Sequence, residues 1–540
     1  MVDALGGKKV FLRRSSGLIK SASTWDVFIF NVGLVSVGIG VANMILYSSY
    51  IYPGASVGWA SLIGGLCMLL VGLGMVAWTI TIPRSGGIYV FGTRILWPPI
   101  AFALSFVEVG AWLYYTSLGS SWIMSIGIGP GLATWGILQN APAFLTAGET
   151  VAKPLWVFLG GTVFLCLSGW LIISGMRKYF LSQKIIFSIA VIGSVILAIM
   201  LLFHSNSDFI RNFNTVMAPY FPGVTNAYQH IIDTAKAAGW TAGSGAVDWW
   251  KTFLFASWPF MAYIGAAFSI SIGGEIRSGG RGQFIGIIAA IIASTIAFII
   301  LGTLSVRVFG SDFLGAVSYN FYNGVQGGAV PSAPWITLLI AILVRNPWLA
   351  LFINLSFIAW IWLWIPGMQV YADRAFVAWS FDRLAPDGLG KVSERTHTPI
   401  NAIALAVLGT IILLALYVFT PYFTTVIMIE AAALAWFVVL FAGIFFPYRK
   451  KSLYEKSPLA HNLILGLPAQ TVACFLGSIG AGIAFIFMWN DNFAAGHSPY
   501  SLAVMGGFIL AGLIIYTIMY YYRKSKGINV NECFKEIPCE

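Results

Sequence analysis

The segment from Val35 to Ala42, with the sequence Val-Ser-Val-Gly-Ile-Gly-Val-Ala, places two glycines inside an otherwise unbroken apolar run. Glycine costs roughly 1 kcal/mol relative to alanine in a helix interior, so a membrane helix opens most easily here. Non-helical backbone at mid-membrane is tolerated only where it is buried in protein or lines a cavity, and the amide groups that follow attract an anion. The segment therefore predicts either a ligand site in an interrupted helix or close packing through small residues.

The composition is that of a membrane protein. Of the 540 residues, 59% are hydrophobic and 9% are charged, and the mean hydropathy is +0.84, whereas soluble domains contain roughly 25% charged residues. Apolar stretches of about 20 residues, long enough to cross a bilayer, recur along the chain and leave no soluble domain of globular size outside them. The predicted spans are residues 27–47, 55–78, 98–127, 155–175, 183–203, 251–273, 284–306, 348–372, 400–419, 423–446, 468–489 and 500–522.

The basic residues are distributed unevenly between the two ends of these spans. Of the 30 Lys and Arg residues, 24 fall on the side that holds both termini and 6 on the other. This asymmetry predicts cytoplasmic termini and a multi-pass protein of the cell membrane. The net charge of +11 then reflects loops that face anionic lipid, and no basic, aromatic-interleaved groove suggests nucleic acid. The basic start at Lys8, Lys9, Arg13, Arg14 and Lys20 precedes a full-length span without a small-residue cleavage site, so we expect the first helix to be retained.

The motifs of enzymes and metal sites are absent from the sequence. Residues 54–58 match the Gly-x-Ser-x-Gly pattern of a nucleophile elbow, but they precede a span and have no plausible histidine partner. No glycine-rich phosphate loop followed by Lys, no His-Glu-x-x-His and no cysteine pair with metal spacing occurs. All five histidines fall in predicted loops, which excludes a histidine proton relay at mid-membrane. We therefore expect no enzyme activity, no cofactor and no metal.

Two cytoplasmic segments carry a specific resemblance. Residues 82–94 follow the pattern Pro-Arg-Ser-Gly-Gly-x-Tyr-Val-x-x-x-Arg between spans two and three. This pattern resembles the signature of amino-acid permeases of the amino acid-polyamine-organocation (APC) superfamily, although Ile88 stands where relatives often carry an acid or amide, so any latch built on that residue must differ. Residues 371–386 and 394–399 are similar to the loop between spans eight and nine of that family. The resemblance covers spans one to ten, while the last two match by position and hydropathy alone.

Span six contains a second segment that can leave the helix. Pro259 removes a backbone donor and Gly265 weakens the next turn, so carbonyl groups near residues 263–267 can face a cavity. Gly40 and Gly265 open the first and sixth spans, which is the spacing of an inverted repeat of five plus five helices. The predicted fold is an all-α polytopic membrane protein of twelve transmembrane helices with that repeat and broken helices 1 and 6, as the resemblance also implies.

The predicted organisation has six parts. They are residues 1–26, a cytoplasmic N-terminal segment; 27–203, the first repeat; 204–250, a long extracellular loop; 251–446, the second repeat; 447–522, the last two spans; and 523–540, a cytoplasmic tail that needs no further structure. The long loop fits a lid, a docking surface or a disordered insertion. The Gly-rich and Pro-rich residues 127–154 predict an outside cap without a span.

The resemblance implies a secondary transporter that moves amino acids by alternating access. It implies that the substrate carboxylate meets backbone amides of the first span and that the ammonium meets carbonyl groups of the sixth. A helix start attracts anions and a helix end attracts cations, so a zwitterion fits between two broken helices, and aromatic walls favour apolar side chains. The predicted substrate-binding residues are Ser36, Val37, Gly38, Ile39, Gly40, Trp258, Tyr263, Ile264, Gly265, Ala266 and Phe268, with further walls from Phe260 and residues 112–115.

Buried acids are the candidates for ion coupling. Glu108 lies about ten residues into span three, near the bilayer centre, where it either bonds to a neighbouring helix or couples transport to protons. Glu430 in span ten is a second candidate, and Tyr115 is a gating candidate. Some relatives replace a sodium ion by a lysine in span five, but Ala190 stands at that position and Lys184 is expected to extend to the interface. Proton symport is favoured, and sodium symport and plain exchange remain open.

The acid of the Gly-Gly-Glu motif after span six, Glu275, is expected to serve gate architecture through Arg84, Arg277 or Arg281. Two other functions fit the same sequence. A polyamine or other amine permease would need acids that face the site, and Glu108 is compatible with that. A non-transporting membrane sensor, or the carrier half of a heterodimer, would use the long loop to bind a partner.

Overall fold

The computed structural model describes residues 17–491 and 497–537. The basic residues Lys8, Lys9, Arg13 and Arg14 and the tail residue Cys539 lie outside the described residues. Within them, eleven helices are long and apolar enough to cross a membrane, and one shorter apolar helix lies at the predicted tenth span. We number these twelve α1 to α12: Thr24–Ile51, Val57–Thr81, Pro98–Leu138, Pro154–Ile173, Met176–Phe203, Trp249–Ser271, Gly279–Phe309, Pro347–Phe381, Ile400–Phe419, Ile429–Ile444, Ala469–Asn490 and Pro499–Ser525.

Several of these helices begin where the sequence provides a cap or a proline. At the start of α1 the Ser23 side chain accepts a hydrogen bond from the Asp26 amide, and the Asp26 carboxylate accepts one from the Ser23 amide. Pro154, Pro347 and Pro499 occupy the first position of α4, α8 and α12, where a missing N–H costs nothing. The all-α polytopic prediction is thus confirmed; since α10 has only 16 residues, the count of twelve crossings stays a prediction.

Helix α1 is interrupted at a single residue. Ser36 has φ 51° and ψ 68°, in the left-handed region, and the helix restarts directly after it. Gly38 and Gly40 lie in the restarted helix, where an added Cβ would overlap the rings of Trp360 and Phe298 respectively. The two glycines are therefore explained by close packing, and the interruption lies two residues before the first of them.

Helix α6 changes its backbone geometry halfway along. Its α-helical pieces Trp249–Phe255 and Ser257–Tyr263 are followed by a 3-10 stretch, Ile264–Ser271. At Gly265 an added Cβ would overlap the backbone carbonyl of Leu34 in α1. The irregular parts of α1 and α6 therefore cross at backbone contact distance, which only glycine permits here.

The remaining helices pack in pairs around this crossing. Helix α1 contacts α6, α7 and α8, and further contacts join α2 to α7, α3 to α8 and α4 to α9. Helix α11 packs on α2 and α10, and α12 packs on α3. The last two helices thus flank the first ten rather than entering their centre.

Several segments that the sequence presents as loops are ordered. Residues 127–154 are helical, because α3 continues through a π-turn to Leu138 and a separate helix covers Pro142–Val151, with Pro130 and Pro142 in first turns that tolerate proline. The other short elements are the helices Ile88–Gly92, Asn206–Met217, Ala227–Ala237, Ser311–Tyr322, Ile336–Val344, Phe446–Arg449 and Lys451–Tyr454, the 3-10 turns Ala218–Tyr220, Gly273–Glu275, Asp387–Gly390, Phe423–Thr425 and Val530–Lys535, and the antiparallel strands Leu463–Ile464 and Leu467–Pro468.

The long loop, residues 204–250, has a core of its own. The Tyr228 ring stacks on Phe313 of the Ser311–Tyr322 helix with centroids 4.5 Å apart, and Phe209 packs beside both. The Asn320 side chain also donates to the Ile231 carbonyl at 2.9 Å. The disordered interpretation of this loop is therefore wrong, and the loop is fastened to the helix that follows α7.

The tail also has structure that the sequence did not predict. Residues 530–535 form a 3-10 turn that buries Cys533 and Phe534. The guanidinium of Arg94, the last residue of the first signature, donates to the carbonyl groups of Cys533 at 3.4 Å and Glu536 at 3.3 Å. Buried Val530, Cys533 and Phe534, together with the contacts of Arg94, therefore dock the tail on the protein.

Candidate functional site

A cavity of about 1070 Å³ lies where the irregular parts of α1 and α6 cross. It extends from there to the end of the molecule that carries the long loop, and α1, α3, α6, α8, α10 and the Ser311–Tyr322 helix all contribute to its wall. Of the predicted site residues, Ser36, Ile39, Gly40, Tyr115, Trp258, Ile264, Gly265 and Phe268 line it. Val37, Gly38, Tyr263, Ala266, Glu108, Glu430, Glu275 and Arg84 are not among the lining residues.

The wall is aromatic and almost free of charge. Among the described residues that line the cavity, Glu149 is the only charged one, and it is exposed on the helix Pro142–Val151. Sequence reasoning missed the aromatic residues that α1, α3, α8, α9 and the segment after α7 contribute, because no single motif holds them. They are Tyr47, Trp122, Phe321, Tyr322, Trp335, Trp364 and Tyr417.

The backbone supplies the polar part of the site. The Ser36 hydroxyl donates to the Trp360 carbonyl at 2.9 Å, so it does not cap the helix that restarts behind it. The first N–H groups of any helix lack partners within that helix, and this end carries the positive pole of the helix dipole. A carboxylate in the cavity beside Ser36 and Ile39 would therefore meet favourable electrostatics without a basic side chain.

An aromatic floor closes the cavity below the crossing. The Phe268 ring lies 4.5 Å from the Trp112 ring and 5.1 Å from the Tyr371 ring, measured between centroids. Tyr371 also donates to the Glu108 carboxylate at 2.7 Å, and the Trp436 indole donates to the same oxygen at 2.6 Å. Glu108 is thus held by donors from α8 and α10, as the neighbouring-helix interpretation predicts, and its coupling role stays a prediction.

A buried charge cluster lies at the end of the molecule that carries the termini. Arg374 of α8 makes a bidentate contact with Glu275, at 2.8 and 3.0 Å, and binds Asp373 at 2.7 Å. All three side chains are at most 1% exposed. Glu275 was expected to pair with Arg84, Arg277 or Arg281. This prediction is wrong, because its partner is Arg374, an arginine of the second signature that α8 holds in the interior.

Backbone contacts seal the same end. The segment after α2 bridges the end of α6 through Ser85 and Ile272, and the segment before α1 bridges it through Ala22 and Ile276. A second buried ion pair joins Arg94 to the end of α8, with its Nη1 2.7 Å from an Asp382 oxygen. The described conformation is therefore closed at the terminal end, and its cavity leads to the opposite end.

A further buried carboxylate, which the sequence analysis missed, supports the outer wall. Asp491, at the end of α11, accepts hydrogen bonds from Tyr52, and from the Ser257 hydroxyl at 3.0 Å. The Tyr52 hydroxyl in turn accepts from the Trp258 indole at 3.1 Å. Helix α11 thereby holds a cavity-lining tryptophan, a role that hydropathy alone cannot indicate.

The remaining positions considered for ion coupling and gating lie in α3, α5 and α10. The Lys184 ammonium lies 2.7 Å from the Asp26 carboxylate and is 41% exposed, so it pairs at the helix end in addition to extending outwards. Ala190 is fully buried in α5. Glu430 is 2% exposed in α10, and the Tyr115 hydroxyl accepts a hydrogen bond from the Met428 amide just before that helix, at 3.4 Å.

This fold and this cavity define a multi-pass membrane protein that can hold a small solute in its interior. A family model described as amino acid permease matches residues 23–517. The chain therefore belongs to the amino acid permease family of the APC superfamily. A comparison with curated proteins finds no match.

The membership has direct consequences for function. The protein is a transporter of amino acids or related amines; its substrate is a small molecule, and its own environment is a lipid membrane. The family is one of transporters and not of enzymes. The match covers both signatures and all twelve apolar helices except the end of α12.

Proposed function

We propose that this permease imports amino acids with apolar side chains across the cell membrane, together with protons, by alternating access. The observation that carries the proposal is the cavity at the crossing of α1 and α6, whose only charged lining residue among those described is the exposed Glu149. A site without buried charge binds a net-neutral zwitterion better than a cation or an anion, because an unpaired charge would lose its hydration.

The substrate carboxylate lies against the restarted helix of α1 and the ammonium against carbonyl groups of α6. The amide end of the helix that begins after Ser36 provides the positive pole. The transition from α-helix to 3-10 helix at Ile264 changes the hydrogen-bond partners of nearby carbonyl groups, which supports cation binding there. Trp258, Phe268 and Trp364 then surround the substrate side chain.

The wall argues against a polyamine as cargo. A polyamine site needs several acidic side chains that face the cavity, and the candidate among the predicted residues was Glu108. The Glu108 carboxylate accepts one hydrogen bond from Tyr371 and one from Trp436, and Glu108 does not line the cavity. An amine with one charge remains an outcome of the test below.

A pseudo-symmetric division of the helices supports alternating access. We assign residues 27–203 and 251–446 to two inverted repeats. The packing supports this assignment, because α1 contacts α6, α2 contacts α7, α3 contacts α8 and α4 contacts α9. Helices α1, α2, α6 and α7 rock against α3, α4, α8 and α9. The distribution of basic residues supports cytoplasmic termini, so the described conformation faces outwards.

The test is uptake by the purified protein in liposomes, with a panel of radiolabelled amino acids and amines and with an inward proton or sodium gradient. Proton-stimulated uptake of neutral amino acids is expected. The variant Ala262→Trp places an indole in the cavity, because Ala262 lines it, and should abolish uptake. Its matched control, Ile292→Trp, places the same side chain at a position of α7 that is 47% exposed and should transport normally.

Four results would contradict the proposal. Uptake of dibasic or dicarboxylic amino acids without neutral ones would show that the wall does not set the charge preference. Uptake of a polyamine alone would favour the amine permease. Uptake stimulated by sodium and not by protons would make sodium the coupling ion. No uptake under any gradient, from folded protein, would favour a sensor.

A further inference from the structure

The gate cluster, which we define as Glu275, Asp373 and Arg374, has more acid than base. Arg374 is the only cation that contacts either carboxylate among the described residues. Its five donors serve both acids, with three contacts between 2.7 and 3.0 Å. If all three groups were ionised, the cluster would hold one net negative charge inside protein that water does not reach.

The hydrogen bonds of the cluster show where this charge is least compensated. Both oxygens of Glu275 accept from Arg374. Asp373 uses Oδ1 for Arg374, whereas its Oδ2 is buried and has no hydrogen-bond partner within the described residues. A buried ionised carboxylate with an unsatisfied oxygen is unfavourable, and protonation removes the surplus charge.

The neighbouring elements do not supply a second cation to the cluster. Arg277 is exposed and donates to the Lys20 carbonyl at 3.4 Å, and Arg84 donates to the Pro83 carbonyl at 2.9 Å. Helix α5 contributes Tyr179, a buried neutral group within electrostatic range of Arg374 and Asp373. Other titratable side chains on the surrounding elements have partners of their own or face outwards. Asp26 pairs with Lys184, Asp382 pairs with Arg94 beside Tyr89, and Tyr371 donates to Glu108. The exposed ones are Arg177, Lys178 and Arg281.

We propose that the gate cluster binds one proton when the terminal end of the molecule is closed and releases it when that end opens. The proposal rests on the transport cycle proposed above, in which α6 and α8 belong to different moving bodies. Closure brings Glu275 of the α6 end onto Arg374, which already pairs with Asp373, and the surplus carboxylate takes up a proton. Opening returns Glu275 to water as a carboxylate, leaves Arg374 and Asp373 as a neutral pair, and frees the proton.

Both steps of this exchange take place at the terminal end, because none of the three residues lines the cavity. The outward-facing state has the terminal end closed and the cluster protonated; opening releases the proton to the side of the termini, and closure takes one up from the same side. The cluster therefore carries no net proton across the membrane, and a low pH on the terminal side favours the closed gate. The charge of the cluster, including its proton, is zero in the closed gate, which accounts for the tight burial of three ionisable side chains.

The first experiment detects the proton directly. Infrared spectra of purified protein at neutral pH should contain the carbonyl stretching band of protonated carboxylic acid, and this band should be weaker by one group in Asp373→Asn and in Glu275→Gln, because either change leaves one acid for one arginine. Any contribution from the buried acids Glu108 and Glu430 is common to all variants and cancels in the difference spectrum. The matched control Asp382→Asn removes a carboxylate from the buried pair with Arg94 and should not weaken the band. Size-exclusion profiles establish that each variant is folded.

The second experiment measures the pH dependence of the gate in liposomes. Lowering the pH on the terminal side should slow the release of amino acid to that side by the unaltered protein, and Asp373→Asn should lose this dependence, since its gate closes without a proton. The same pH dependence in Asp373→Asn, or an acid band as strong as that of the unaltered protein, would overturn the proposal. If the unaltered protein transports no amino acid, the proposed function fails, and the infrared result still decides whether the gate cluster holds a proton.

Discussion

At the scale of single residues, the site depends on one place where two backbones touch. Gly265 brings α6 against the Leu34 carbonyl of α1, and no side chain fits between them. Backbone carbonyls cannot move aside as a flexible side chain can, so any Cβ at this position must separate the two helices. The neighbouring irregular segments, at Ser36 and at Ile264, then lose their relative position.

We expect Gly265→Ala to lower the free energy of unfolding by about 1–3 kcal/mol, the usual cost of overpacking, and to reduce transport strongly. The matched control is Gly506→Ala in α12, where an added Cβ meets no atom within 4 Å. In that helix the substitution should be neutral or slightly stabilising, by up to about 1 kcal/mol. Thermal unfolding in detergent and liposome uptake measure both effects, and normal uptake by Gly265→Ala would show that the crossing does not form the site.

At the scale of elements, the end of α12 and the α8–α9 connection hold each other. Arg523 donates to Asp387 at 2.8 Å and to the Ala385 carbonyl at 3.1 Å, and Arg383 donates to Asp387 at 2.9 Å. Burial raises the pKa of Asp387, but the hydrogen bonds from Arg523 and Arg383 outweigh it, and the pKa lies below the ordinary value. The contact therefore stabilises the folded protein while Asp387 is ionised.

Asp387→Asn should lower the free energy of unfolding by about 0.2–1 kcal/mol at neutral pH, because Asp387 is half exposed and solvent screens the pair. The pKa is lower in the folded than in the unfolded state, so the contribution is complete above the unfolded value of about 4 and is lost as the pH falls through the folded one. The melting temperatures of variant and unaltered protein should thus converge below about pH 4. A constant difference across this range would contradict the assignment; Asp233→Asn, which removes an exposed acid bonded to Gln229, is the control.

The elements also show what a sequence can and cannot predict here. Hydropathy located all twelve apolar helices, because burial in lipid demands long apolar runs, and two signatures identified the family. The interruption was predicted at Gly38 and Gly40 and lies at Ser36, since both glycines are explained by the rings of Trp360 and Phe298. A glycine within a helix indicates that another group approaches the helix backbone closely. Only the tertiary structure shows whether that group is a ligand or a side chain.

The same limit applies to partners that are distant in sequence. Glu275 was expected to pair with Arg84, Arg277 or Arg281, but its partner is Arg374 of α8, 99 residues away. Asp491 and the aromatic wall from α8 and α9 were missed for the same reason. Each of the eight predicted residues that line the cavity belongs to α1, α3 or α6, where a local pattern indicated an irregular or polar position.

At the scale of the whole molecule, the structure is asymmetric between its two ends. The terminal end is sealed by the gate cluster, by two backbone bridges and by the Arg94–Asp382 pair. The other end leads into the cavity past the Ser311–Tyr322 helix. The last two residues of this helix line the cavity, and Asn320, just before them, donates a hydrogen bond to the long loop. The long loop and this helix therefore form one body above the cavity, which favours the lid interpretation over a separate docking surface.

This asymmetry predicts one-sided access to the cavity. In a background from which the five native cysteines have been replaced, Ala262→Cys should react with a membrane-impermeant thiol reagent from the side of the long loop and only slowly from the terminal side. Adding Glu275→Gln removes the bidentate contact with Arg374 and should raise labelling from the terminal side, because the sealed end then opens more often. Ile292→Cys, on the lipid-facing surface of α7, should react from neither side. Fast labelling of Ala262→Cys from the terminal side without the second change would mean that this end is not the closed gate.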